Sequence, residues 1–296
     1  MATAQEVGQT PPAAALKKKP YISPSQLNTF ENCGEAYRRR YLEKEIIPPG
    51  VAALRGGSVH KGAEMNFAQK IESHVDLPKS QIVDRAVAEF EGRMKIEGLF
   101  LDPEAAARGK DIVVGEEKDT TVRLAGLFSE QVAPVYQPTA VEQKITIELP
   151  ESPRDLLGII DMTATIVADP ARGEGIIDYK TGKKTKPQGE FDTSAQITLY
   201  DLAYRAKRGK APDFLQVEQL VDLKSGPKRV INATTRTTAD FKPAIARVNV
   251  MISGLEKGVF MPANAGAWNC SAKWCGYFSS CRFVNSERKA ASAAGE

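Results

Sequence analysis

The chain predicts an α/β fold: a mixed central sheet flanked by helices, with a helical segment before it and a cysteine-bearing loop after it. Two observations carry that expectation. Apolar residues repeat at helical spacing through the first part of the chain and switch to a period of two at Val141, the change from helix to half-buried strand. The strand-like runs that follow are interrupted by a helix-like segment, and helices interleaved with strands pack on the faces of a shared sheet. With 296 residues, 42% hydrophobic and 26% charged, there is material for a substantial core.

Residues 1–20 are rich in Ala, Pro and Lys without periodicity, which predicts a disordered tail. One domain is expected over 21–284: a helical part (21–138), a sheet core (139–235), and a C-terminal helix with the cysteine loop (236–284). A second short tail, 285–296, follows. The first helix starts at Ser23, which suits an N-cap; Pro24 fits the first turn, and Gln26 completes a capping box. Leu27, Phe30, Gly34, Tyr37 and Tyr41 form one stripe, with Cys33 beside it and Arg38, Arg39 and Arg40 nearby. A second helix begins near Gly57 and sets His60 and Glu64 on one face. Helices over 79–97 and 116–136 come next. Val141, Gln143, Ile145, Ile147 and Leu149 then alternate with Glu142, Lys144, Thr146 and Glu148. Strands are expected over 156–167, 175–179, 214–223 and 228–233, with helices over 193–207, capped by Asp192, and 238–255.

Composition excludes several classes. The formal net charge is +3, so any polyanion-binding surface must come from local clusters. No apolar run approaches the ~20 residues that span a bilayer. Ala13-Ala14-Ala15-Leu16 is too short for a signal peptide, and Lys17, Lys18 and Lys19 follow it rather than precede it. A cytoplasmic, reducing location is therefore expected, with no membrane partner. There the four cysteines suggest metal ligation before disulfides. Three of them, Cys270, Cys275 and Cys281, cluster near the end, and Cys33 stands far upstream. No Gly-x-x-x-x-Gly-Lys-Ser/Thr loop is present, so the chain holds no motor of that type.

The chemistry concentrates in Ile176-Ile177-Asp178-Tyr179-Lys180, an apolar run that ends in an acid with a lysine two residues on. Alternate residues of a strand share a face, so Asp178 and Lys180 point the same way. Asp161 ends a similar run. Two acids and a lysine on neighbouring strands suit metal-assisted phosphodiester hydrolysis. The ordered set Gly56-x-x-x-His60, Gly158-x-x-Asp161, Asp178-x-Lys180 and Gln196-x-x-x-Tyr200 resembles the PD-(D/E)XK nuclease superfamily, and within it the RecB-like exonuclease branch. The resemblance runs from about Tyr21 to about Val284.

That resemblance implies a restriction-endonuclease-like core and a divalent-metal-dependent DNA exonuclease acting in recombination, repair or phage DNA processing. It implies Asp161, Asp178, His60 and the Tyr179 backbone carbonyl as ligands of Mg²⁺ or Mn²⁺, with Lys180 as the group that positions or deprotonates the attacking water. Gln196 and Tyr200 are expected to position substrate, with Glu64 and Glu142 in supporting places. It also implies a [4Fe–4S] cluster on Cys33, Cys270, Cys275 and Cys281, as in AddB-type and CRISPR-associated relatives. Four thiolates suit zinc as well. The expected partner is DNA, single-stranded or as duplex ends, beside a helicase or recombinase encoded elsewhere. Arg38–Arg40, Lys183, Lys184 and Lys186 are basic groups near the motifs, and Tyr37, Tyr41, Trp268, Trp274 and Tyr277 suit either core packing or base stacking. His74 has no motif around it and reads as surface. Two other classes stay open: a non-catalytic nucleic-acid-binding subunit of a recombination complex, and a zinc-stabilised scaffold in which Asp178 and Lys180 are incidental.

Overall fold

A computed structural model describes residues 19–149 and 151–294. Residues 1–18 of the expected N-terminal tail lie outside them. In chain order the elements are β1 (Tyr21–Ile22), α1 (Pro24–Asn32), α2 (Gly34–Tyr37), α3 (Val51–Ser73), α4 (Lys79–Glu97), α5 (Pro103–Arg108), α6 (Lys110–Gln131), β2 (Tyr136–Ile147), β3 (Asp155–Ile166), β4 (Gly175–Gly182), α7 (Gln188–Asp192), α8 (Ala195–Arg208), β5 (Leu215–Leu223), β6 (Gly226–Thr234), α9 (Thr238–Lys257) and α10 (Ser286–Ala294).

The sheet runs β1–β3–β4–β5–β6, with β2 also paired to β3. The β2–β3, β3–β4 and β5–β6 pairs are antiparallel; β1–β3 and β4–β5 are parallel. A parallel step requires a crossover, and α7 with α8 supply it between β4 and β5. Helices cover both faces. On one, Val59 and Phe67 of α3 and Leu124 and Phe128 of α6 pack on Met162, Ile177 and Tyr179. On the other, Ile197, Tyr200 and Tyr204 of α8 pack on Ile160, Ile176 and Val217. Central strands covered on both faces read as continuous apolar runs, which is why Ile176 and Ile177 stand side by side in sequence. Each such buried side chain contributes about 1.5–3 kcal/mol. A third cluster, Ile22, Leu27 and Tyr37 with Val248 and Met251, ties α1 and α2 to α9.

Several boundaries differ from the sequence expectation, each for a local reason. Ser23 does accept from Gln26 N, at 3.3 Å. The first helix, however, stops at Asn32 instead of running to Tyr41. Cys33 is extended there (φ −166°), its Sγ accepts from Ala36 N to cap α2, and a π-helical turn follows over Arg38–Leu42. The break admits the C-terminal loop: Gly34 N donates to Met261 O at 2.7 Å. A Cβ on Gly34 would sit 2.7 Å from Met261 N, so only glycine allows that approach. Ser194, not Asp192, caps α8; Asp192 closes α7 and accepts from Thr234 Oγ1 at 2.8 Å. The expected C-terminal tail contains α10, whose Arg288 donates to Cys270 O at 2.7 Å. Among the described residues no helix is long and apolar enough to cross a membrane.

Candidate metal centre

Three neighbouring strands each bring one acid to the same level of the sheet. Pairing of β2 with β3 is in register on either side of Glu142 and Asp161, as Val141↔Met162 and Gln143↔Ile160. Pairing of β3 with β4 ends at Met162↔Ile177, one step before Asp161 and Asp178 would meet. The ladders are interrupted where the carboxylates crowd, as expected for like charges directly opposed across strands. Glu142 also adopts a left-handed backbone, φ 48°, unusual for a residue with a Cβ. Val141 packs with the α3-side cluster and Ile145 with the α8-side cluster, although strict alternation would set both on one face.

Cationic and imidazole groups converge on these acids from both faces. From α3, His60 Nε2 lies 3.0 Å from the Tyr179 carbonyl oxygen, and Nδ1 lies 3.5 Å from Asp161 Oδ2. Tyr179 N donates to Asp161 Oδ2 at 3.1 Å, fixing that carboxylate against β4. From the same strand, Lys180 Nζ stands 2.9 Å from Asp178 Oδ1 and 2.8 Å from Oδ2. It also donates to Gln196 Oε1 at 3.1 Å, and Gln196 Nε2 donates to Tyr200 Oη at 2.7 Å. Gly158 lets α8 come this close, since a Cβ there would meet Ala203 Cβ at 3.3 Å.

The electrostatics follow from burial and crowding. Asp178 is fully buried, and burial pushes its carboxyl up to about 6 against the pull of Lys180, with Asp161 adding to the rise. Burial raises Glu142 as well, reinforced by Asp161 and Glu64. Burial works to lower the Lys180 ammonium, but Asp178 and Asp161 outweigh it, and the net shift is upward. With no metal bound these acids favour the Lys180 ammonium, which suits a group that holds water and neutralises charge.

The donor set fits a hard divalent cation. His60, Glu142 and Asp161 each offer a ligand atom within 4.8 Å of the others. The 3.0 Å between His60 Nε2 and the Tyr179 carbonyl matches adjacent ligands of an octahedral ion, which at bonds of about 2.1 Å lie about 3 Å apart. Asp178 Oδ2 is buried, and Lys180 Nζ faces it at 2.8 Å without the angle of a hydrogen bond, which leaves lone-pair capacity for a further partner. The sequence placed Glu142 in a supporting position; the structure sets it among the candidate ligands. Glu64 accepts from Lys61 at 2.7 Å and lies near enough to Glu142 to raise its carboxyl. His74 is exposed at the C-cap of α3, as expected.

Several proposed DNA contacts have other duties. Arg38 is held by Glu35 and Glu43, and Arg39 is buried against Glu45 and the Tyr277 ring. Lys183 pairs with Glu117 at 2.6 Å and Lys186 with Glu190 at 2.8 Å. Tyr37 and Tyr277 are core residues. Arg40 and Lys184 have no carboxylate partner among the described residues, and Trp268 and Trp274 are exposed, edge to face at 5.5 Å.

The four cysteines gather where the α1–α2 break meets the C-terminal loop. Burial pushes the Cys275 thiol up, and the neighbouring Cys33, Cys281 and Cys270 each add to that rise. Cys33 Sγ accepts from Ala36 N at 3.5 Å and Ala263 N at 3.4 Å, and Arg288 Nη1 lies 3.8 Å from Cys270 Sγ. Such donors suit thiolate ligands. No three of the sulfurs lie within 4.8 Å of one another.

A mixed sheet that collects three acids, an imidazole and a lysine at one level defines a hydrolase site. The chain belongs to the PD-(D/E)XK nuclease superfamily, which it matches over residues 21–282. The six-stranded mixed sheet between helices is accordingly a restriction-endonuclease-like core. No curated protein matches the chain. Among solved structures it is similar to a protein called SSO0001, at 13% identity and a TM-score of 0.32, covering 76% of this chain and 97% of that one.

Proposed function

We propose that the protein is a divalent-metal-dependent DNA exonuclease of the RecB-like branch, working in recombination, repair or phage DNA processing. One observation carries the reading: His60, Glu142 and Asp161 offer ligand atoms within 4.8 Å of one another, and Asp178, paired with Lys180 at 2.8 Å, lies on the adjoining strand close enough to feel Asp161 and His60. A non-catalytic nucleic-acid-binding subunit has no use for a buried, destabilised carboxylate, so that alternative accounts for less.

His60, Glu142, Asp161, Asp178 and the Tyr179 carbonyl would hold Mg²⁺ or Mn²⁺. When bound, the ion supplies Lewis acidity and a more acidic water. The imidazole tilts the preference toward Mn²⁺ relative to an all-oxygen site. The chain's own groups do the rest. Lys180 keeps its proton, orients water beside Asp178 and offsets charge that grows on the phosphate oxygens. Gln196 and Tyr200 hold Lys180 in place through the 3.1 Å and 2.7 Å bonds. Their role is thus closer to positioning Lys180 than to touching DNA.

For the cysteines, Cys33, Cys270, Cys275 and Cys281 would hold a [4Fe–4S] cluster, with zinc as the alternative. The N–H donors to Cys33 support a metal-bound thiolate there. Its place is structural, joining α1 and α2 to the C-terminal loop. A helicase or recombinase encoded elsewhere is the expected companion.

The test is digestion of end-labelled single- and double-stranded DNA by anaerobically purified protein with Mg²⁺ or Mn²⁺. Release of mononucleotides or short fragments from one end supports the reading. Intact DNA under all metal conditions rejects it.

A further inference from the structure

A cavity of about 870 Å³ opens between the α1–α2 break, the segment 46–50, the end of α4 and the cysteine loop. All four cysteines line it. An eight-atom cluster, even with each atom allotted the ~30 Å³ of a whole liquid-water molecule, fills about 240 Å³ of such a space. Most of the volume would remain, and it falls within the ~300–1,000 Å³ usual for ligand sites.

The remaining walls are apolar and cationic. Ile46 is 64% exposed and Trp274 59% exposed, an uncovered apolar surface on the cavity rim. Arg40 lies 5.7 Å from the Tyr41 ring centroid and has no carboxylate partner among the described residues. Arg93 also lines the cavity; it donates to Glu97 at 2.7 Å while its guanidinium presses against Gly57 of α3. The cavity is near the metal centre. Ala53 lines it, and His60 follows seven residues later on α3, about 10 Å at 1.5 Å per residue.

We propose that this cavity is a subsite for one unstacked nucleotide of single-stranded DNA, beside the scissile phosphate's site. The inference rests on the nuclease reading above. Its chemistry follows from the walls. Arg40 meets a phosphate, and Trp274 with Ile46 covers the faces of a base. A base inside a duplex has both faces stacked and its edge paired, so a single strand places one in a walled cavity without the few kcal/mol that unpairing and unstacking cost.

The test measures binding of a fluorescein-labelled oligothymidylate by anisotropy in EDTA, across a KCl series, so that cleavage plays no part. Arg40→Gln should weaken binding at least about five-fold and flatten the slope of log K against log salt by about 0.7, the share of one phosphate contact. Arg40 is exposed, so the variant should keep the wild-type melting temperature. Lys207→Gln, exposed on α8 and outside the cavity, is the charge control and should change neither quantity. Trp274→Leu should weaken binding without altering the salt slope. Wild-type affinity and slope in Arg40→Gln would overturn the subsite. An equal loss on a blunt duplex would overturn the single-strand assignment. A wild-type protein that binds through Arg40 yet cleaves nothing with any metal would support the subsite and reject the nuclease reading instead.

Discussion

Glu142 stands opposite Asp161 across the β2–β3 pair, in a left-handed backbone conformation with φ 48°. Two carboxylates so placed repel, and a left-handed residue with a Cβ costs about 1–2 kcal/mol. Strain of this kind persists where the surrounding structure over-determines it, often at functional sites. A cation between the acids would turn the repulsion into coordination. Glu142→Gln should therefore lower Mn²⁺ affinity at least about ten-fold in calorimetric titration, the scale seen for weaker, indirect partners of a metal. Glu142→Gly should lose the same affinity while the metal-free protein stays as stable, or gains up to about 1 kcal/mol. Unchanged Mn²⁺ binding in both would remove Glu142 from the ligand set.

The legible and illegible parts of this site differ in physical kind. Asp178 and Lys180 were readable because a strand's period fixes which side chains share a face. His60 was readable from its spacing after Gly56. The switch of faces around Glu142 was not, since nothing in the alternating run from Val141 to Leu149 marks a residue that will turn left-handed without being glycine. The stripe from Leu27 to Tyr41 gave the buried residues Leu27 and Tyr37 correctly but hid the break at Cys33, because that break is set by the distant Met261 backbone. Likewise, three consecutive arginines could not reveal that Arg38 and Arg39 are committed to Glu35 and Glu45 while Arg40 has no carboxylate partner among the described residues. Tertiary partners decide these points, and local pattern does not encode them.

Asp178 gives a pH-dependent prediction. Its carboxyl lies near 3.8 in an unfolded chain and about 6 in the fold, chiefly through burial. A folded value above the unfolded one means that the protonated acid favours the fold. That stabilisation is complete below about pH 4 and is lost as pH rises through about 6. Metal-free Asp178→Asn avoids the loss. Its stability relative to wild type, read from denaturant melts, should rise between pH 4 and 6 and level off above, by up to about 3 kcal/mol for a two-unit shift. A difference that does not vary with pH would show that Asp178 ionises without cost.

Lys180 and Gln196 separate positioning from substrate contact. Lys180→Ala should abolish cleavage, and Asp178→Ala should do the same, with the double variant little worse than either, as expected of groups acting as a unit. Gln196→Ala should lower kcat about 10–100-fold with little change in KM, because the 3.1 Å bond steadies Lys180. A raised KM at unchanged kcat would instead place Gln196 on the DNA.

Cys33 has two separable roles. Its Sγ caps α2 by accepting from Ala36 N, a contact worth about 1 kcal/mol for a good cap. The same sulfur is a candidate ligand joining the first helices to the C-terminal loop, and closing so long a loop stabilises by several kcal/mol. Protein contacts already run along this seam: Asn269 Nδ2 donates to Asn32 O at 3.0 Å, and Arg39 donates to Ser280 Oγ at 2.7 Å. Those bonds alone bring the segments together but leave the cavity between them. Cys33→Ser keeps an oxygen acceptor for the cap and removes the thiolate; Cys33→Ala removes both. If a cluster is the staple, both variants should lose iron and visible colour after anaerobic purification, and both should melt well below wild type. The serine variant should then recover only the small cap contribution. If the cap is all that Cys33 provides, serine should restore the melting temperature, and the wild-type protein should be colourless. Iron analysis beside the two melting curves distinguishes these outcomes, and a colourless wild type that binds zinc would hand the four thiols to the smaller ion.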